Sequence, residues 1–84
     1  MRIELKKFGK ILSSRPDGKE AFLAIRPTLN LNADVVEIDF SGITALGPSW
    51  ADEFLTALKE VYGNKVKYLR SDNPSVVETL EILK

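Results

Sequence analysis

Between Val35 and Tyr62 the sequence VVEIDFSGITALGPSWADEFLTALKEVY changes its hydrophobic period once, and that change sets what the chain can become. Val36, Ile38 and Phe40 alternate with Glu37 and Asp39. A period of two, rich in β-branched residues, is the pattern of a half-buried strand over 35–40. Beyond Pro48 the apolar residues are Trp50, Ala51, Phe54, Leu55, Leu58, Val61 and Tyr62, which form one helical stripe. Asp52, Glu53, Thr56, Lys59 and Glu60 occupy the opposite side, and Gly63 supplies the residue that commonly closes a helix. A strand entering a helix through a short polar turn places that turn on the rim of a sheet, where functional residues concentrate.

The flanks repeat the alternation of strand and helix. Arg2 to Lys7 reads as a strand with one wet face, and Ile11-Leu12 as a short second strand. Asp17 and Glu20 have the spacing of a capping box, so they predict the start of a helix with Ala21, Phe22, Ile25 and Leu29 on its buried face. Pro27 either ends that helix near Ile25 or kinks it and lets it run on to about Asn30; the continued spacing of Leu29 favours the kink. Lys65 to Arg70 reads as a further strand, with Val66 and Tyr68 on one face. Asn73 and Pro74 open a last helix whose stripe is Val76, Val77, Leu80 and Leu83. This order predicts an α/β fold with a small mixed or parallel sheet of three to four strands. The polar strand positions Glu4, Lys6, Glu37, Lys65 and Lys67 predict helices mainly on one face, with a charged, solvated face behind.

At 84 residues the chain is expected to form a single domain, residues 1–84. Twelve basic residues balance twelve acidic ones, so no net field draws it to nucleic acid or to an anionic membrane. No apolar run is long enough to span a bilayer and the start does not resemble a signal peptide, so the expected location is the cytoplasm. Cysteine and histidine are both absent. That removes a disulfide framework, a thiolate nucleophile, the commonest general base and the commonest metal ligand. No nucleophile is visibly paired with a base, so the chain is not expected to be an enzyme or to carry a cofactor or metal.

The residues that remain informative cluster around the central turn. Ser49 either caps the helix itself, or follows Gly47 as cap and Pro48 as first helical residue. In both registers it stands at the positive end of the helix dipole. Asp52 and Glu53 follow in the first turns, Trp50 belongs to the buried stripe but sits close to the surface end, and Asp39 closes the central strand. Arg15 precedes Pro16 and is placed to meet an anion at the same rim. There is no Walker sequence and no GxGxxG.

IDFSGITALGPSWADEF resembles the central segment of STAS domains, the sulphate transporter and anti-sigma factor antagonist family. The closer resemblance is to small STAS-like domains of unknown function. It is carried by Leu12-Ser13-Ser14-Arg15, then Asp39-Phe40-Ser41-Gly42-Ile43, then Ser49-Trp50-Ala51-Asp52-Glu53, and it spans roughly residues 11 to 83. It implies a STAS-like fold and a regulatory interaction module, in which Ser49 aligns with the serine that partner kinases phosphorylate in bacterial members. Gly47 and Pro48 stand where that segment usually has Asp and Ser, and Trp50 where it has Gly. The expected partner is a protein, such as a serine kinase or an anti-sigma-type regulator, bound through Arg15, Asp39, Ser49, Trp50, Asp52 and Glu53. The alternative is a small-ligand or nucleotide sensor that uses the helix amino end after Gly47 as an anion site. An exposed sheet edge offers a route to self-pairing, so a monomer or weak homodimer is expected.

Overall fold

The structure is a computed structural model that describes residues 1–83; Lys84, the last residue of the expected domain, lies outside the described residues. Its first sheet has three parallel strands, β1 (Arg2–Glu4), β3 (Val36–Asp39) and β5 (Val66–Tyr68), in the order β1-β3-β5. A separate parallel pair joins β2 (Ile11–Leu12) to β4 (Ala45–Leu46). The helices are α1 (Arg15–Ile25), α2 (continuous over residues 48–62) and α3 (Pro74–Ile82). The sheet is therefore parallel, and β4 is a strand that the sequence pattern did not reveal. Ala45-Leu46 lies within the turn-rich run between Gly42 and Pro48, which reads as loop.

Register explains the two unlike faces of the sheet. Ile3 pairs with Ile38, Ile38 with Tyr68 and Val36 with Val66, so this side is apolar. Ile3, Val36 and Ile38 are almost wholly covered, in one core with Trp50, Phe54, Leu55, Leu58 and Val76 from the helices. The other side carries Arg2 beside Glu37 and Glu37 beside Lys67, with Glu4 beside Asp39 in the next row. Arg2 and Glu37 form an ion pair at 3.6 Å. This is the charged, solvated face that the polar strand positions predicted.

Several boundaries differ from the expectations, each for a physical reason. β1 stops at Glu4, and Leu5–Phe8 form a 3₁₀ turn. That turn brings Leu5 and Phe8, three residues apart, to the same inner side, which strand alternation could not do. α1 begins at Arg15 rather than after Asp17. Ser14 is its cap, its hydroxyl accepting from the Asp17 amide at 3.2 Å, and Pro16 stands in the first turn. α1 also ends at Ile25 instead of running on through a kink: Arg26–Thr28 tighten into a 3₁₀ turn and Leu29 is extended. Pro27 has no amide to continue the α-helical ladder. Leu29 still packs on the core, which is why its spacing looked helical. Val61 and Val77, placed on buried stripes by spacing, are 44% and 45% exposed, because they fall at the margins of those stripes.

Candidate functional site

The pairing of β2 with β4 decides where α1 and α2 begin. The Gly47 amide donates to the Leu12 carbonyl at 2.7 Å; α2 starts at the next residue, Pro48, and α1 shortly after Leu12, at Arg15. The two first turns consequently lie against each other. A Cβ on Gly18 would stand 2.6 Å from the Trp50 carbonyl oxygen, and one on Gly47 would stand 3.2 Å from Ser13 Cα. Glycine at both positions permits this approach of backbone to backbone. Of the two possible registers for α2, the structure has Gly47 as cap and Pro48 at the first position, leaving Ser49 second.

α3 holds this junction from below. Asn73 caps α3 by accepting from the Ser75 amide, while its side-chain amide donates to the carbonyls of Ile43 and Thr44. The Ser75 hydroxyl accepts from the Leu46 amide and donates to the Leu46 carbonyl, which also accepts from buried Thr79. The loop into α2 is thereby fixed by partners roughly 30 residues away in sequence. Sequence reading assigned Asn73 only a capping role and missed Gly18, Ser75 and Thr79. A glycine inside the first turn of a helix, where it weakens the helix, was the one available sign of a close approach.

On the solvent side of the same junction, one nitrogen of Arg15 serves two carboxylates. Its Nη1 donates to Asp52 Oδ2 at 2.9 Å and to Glu53 Oε1 at 3.1 Å. The other Asp52 oxygen accepts from the Thr56 hydroxyl at 3.0 Å. Asp52–Thr56 form a π-helical segment inside α2. Its wider turn leaves a smaller angle between successive side chains, so neighbouring Asp52 and Glu53 can both face Arg15. Hydrogen bonds from Arg15 and then Thr56 lower the Asp52 pKa, while the bonds to Asp52 and then Glu53 raise that of Arg15. A shallow depression of about 230 Å³ continues along this face, lined by Asp52, Glu53, Thr56, Ala57 and Glu60. Ser49 is half-buried on the preceding turn, and among the described residues its hydroxyl has no hydrogen-bond partner.

Two of the six expected surface residues are elsewhere. Trp50 is only 1% exposed, its ring stacked on Phe54 with centroids 4.8 Å apart, so it positions the rim from within and does not present a contact surface. Asp39 lies on the charged side of the sheet. Its carboxylate accepts from the Ser41 amide at 2.9 Å, its pKa is lowered by that bond and then by the Ser41 hydroxyl, and its nearby charges are Arg2 and Lys6. No described hydrogen bond or ion pair joins it to Arg15, Ser49, Asp52 or Glu53. The expected constellation therefore contracts to Arg15, Ser49, Asp52 and Glu53. The amino end of α2 is also less open than the sequence suggested, since Pro48 has no amide and the backbone of Trp50 is covered by Gly18.

Parallel strands, helices on the apolar face and two apposed helix starts define a small α/β domain. A family profile described as a STAS-like domain of unknown function matches residues 17–76, and the chain belongs to that family. Arg15 lies just ahead of the matched span, whereas Asp39, Ser49, Asp52 and Glu53 lie within it. No curated protein and no solved structure gives a match. No helix among the described residues is long and apolar enough to cross a membrane.

Proposed function

We propose that this chain is a regulatory module that binds a protein partner, in the cytoplasm, through the rim formed by the first turns of α1 and α2. Ser49, Asp52, Glu53 and Arg15 make up the binding surface, and Ser49 is its control point. The observation that carries this reading is the division of one short segment. Trp50, Ala51 and Phe54 are buried to 1% or less, while their neighbours Ser49, Asp52 and Glu53 stay accessible on the rigid rim. A rigid backbone that offers polar side chains outward suits recognition. The partner class is a serine kinase or an anti-sigma-type regulator, which is what the resemblance of the central segment to STAS domains implies.

A phosphoryl group on Ser49 would add a charge of about −1.5 to −2 beside Asp52 and Glu53 and would raise the desolvation cost of docking. The test is binding of the partner isolated with the wild-type protein to two variants, by calorimetry or surface capture. Ser49→Ala is expected to bind about as well as wild type, and Ser49→Asp at least tenfold more weakly, which corresponds to about 1.4 kcal/mol. Equal binding by both variants removes Ser49 as the control point.

A further inference from the structure

We propose that Arg15 is the receptor for a phosphoryl group on Ser49: when the group is present, the guanidinium leaves the Asp52–Glu53 pair for the phosphate and both carboxylates are released. This inference rests on the reading of Ser49 as the control point. The modification itself is an ordinary group transfer from a nucleoside triphosphate, supplied by a protein kinase. The Ser49 oxygen forms the new bond to phosphorus, the bond to the nucleoside diphosphate breaks, and the hydroxyl proton passes to a base of the kinase.

Four features of the rim carry the proposal. Arg15 holds both carboxylates through Nη1 alone, so Nε and Nη2 are without partners among the described residues. A guanidinium presents five N–H donors in a planar fork, a shape matched by two oxygens of one phosphate. Secondly, the Arg15 side chain is 51% exposed, so it can swing across the rim without breaking apart the core. Thirdly, Ser49 precedes Asp52 by three residues and Glu53 by four on the same helix. Side chains at those spacings lie on one side of an α-helix, and the π-helical segment that begins at Asp52 turns Glu53 toward the same side. Lastly, the Ser49 hydroxyl makes no competing hydrogen bond, so modification breaks nothing at the acceptor.

Charge decides the direction of the exchange. Each carboxylate holds Arg15 by one hydrogen bond from a shared nitrogen. A phosphoryl group offers three acceptor oxygens and nearly two charges on one centre, and it would otherwise stand unpaired beside two carboxylates. Moving the cation relieves the strongest repulsion on the rim. The output is a changed surface: a carboxylate pair half-neutralised by Arg15 in the unmodified protein becomes an exposed acidic pair next to an Arg–phosphate pair.

The test uses full-length protein with phosphoserine installed at position 49 during synthesis, and needs no partner. Phosphorus NMR follows the second phosphate ionisation, and carbon NMR follows the Asp52 carboxyl. Free phosphoserine ionises near pH 6. The expected result is a phosphate midpoint lowered by about half a unit or more, together with an Asp52 titration that moves up from its value in the unmodified chain. Arg15→Ala is expected to raise the phosphate midpoint above about 6, and Arg15→Lys to restore part of the lowering. A phosphate midpoint at or above the free value in the wild-type background overturns the proposal. So does an Asp52 titration that phosphorylation leaves unmoved, since Arg15 would then have stayed in place. If this exchange is observed while Ser49→Asp and Ser49→Ala bind partner equally, the exchange stands and the partner-control reading fails.

Discussion

The junction of α1 and α2 has an inner side and an outer side, built a few residues apart by different means. Inside, Gly18 lies against the backbone of Trp50, and the indole ring is stacked on Phe54 and covered by Phe8. Outside, Arg15 is held to Asp52 and Glu53 by hydrogen bonds in contact with water. Close packing of the inner side leaves no room for adjustment, so changes there act on the whole fold. The outer bonds are strongly screened and easily exchanged, so changes there act on charge and recognition. A regulatory surface gains from this division, because its position is fixed while its pairings are free to alter.

The comparison can be broken most directly at Trp50. Replacing it by Ala removes a fully buried ring and leaves a cavity among Phe8, Phe54 and the first turn of α1. The expected loss is about 3–5 kcal/mol of unfolding free energy. Trp50 is the sole tryptophan, so urea unfolding of this variant is followed by circular dichroism instead of fluorescence. A loss below about 1 kcal/mol would mean that the inner side is not rigidly packed.

Gly18→Ala tests the same side with a single methyl group, and two effects compete. Alanine in a helix is favoured over glycine by about 1 kcal/mol. The new Cβ, however, would sit 2.6 Å from a backbone oxygen of Trp50, which cannot rotate away as a side-chain tip could. Overpacking costs typically about 1–3 kcal/mol, and a backbone contact places this case at the upper end. Net destabilisation of about 1–2 kcal/mol is therefore expected in the same unfolding experiment. A variant more stable than wild type would show that α1 and α2 slide apart readily, and the distinction between the two sides would lapse.

What was legible in the sequence follows the same division between local and distant causes. The alternation of Val36, Ile38 and Phe40, the stripe of α2, the cap at Asn73 and the solvated sheet face all depend on neighbours in sequence, and all were readable. The start of α1 is also local: Pro16 in the first turn fits a cap at Ser14 instead of Asp17. β4 and its anchorage by Ser75 and Thr79 were not readable, because Ala45-Leu46 lies in a turn-rich run and is held by bonds across the fold. The sequence grouped Arg15, Asp39, Ser49, Trp50, Asp52 and Glu53 on one rim, and the fold brings Arg15 to Asp52 and Glu53 but sets Asp39 and Trp50 apart. Asp39 and Asp52 are both acids beside loops or helix starts. Only the fold shows that one bonds its own turn while the other meets Arg15, 37 positions away.

That last contrast yields the smallest effect on stability and the sharpest on charge. Asp52 and Asp39 both bind their protons less readily in the folded chain than in the unfolded one, but by different causes. For Asp52 the hydrogen bond from Arg15 leads; for Asp39 it is the amide of Ser41. The sign follows from linkage: a lowered carboxyl pKa stabilises the fold at pH values above the unfolded value of about 3.9, and the contribution is lost as pH falls through the folded value. Both residues thus favour the fold at neutral pH and cease to do so in acid. Arg15→Ala is expected to return the Asp52 titration most of the way to the ordinary carboxylate range, with the Thr56 hydroxyl retaining part of the lowering, and to leave Asp39 where it was. Unfolding at pH 7 should change little, since an exposed pair contributes little to stability. Carbon-detected titration of the two carboxyl groups in wild type and variant separates the causes. A parallel rise at Asp39 would mean that Arg15 acts through the whole sheet rather than through its own hydrogen bonds, and the local character of the outer side would be lost.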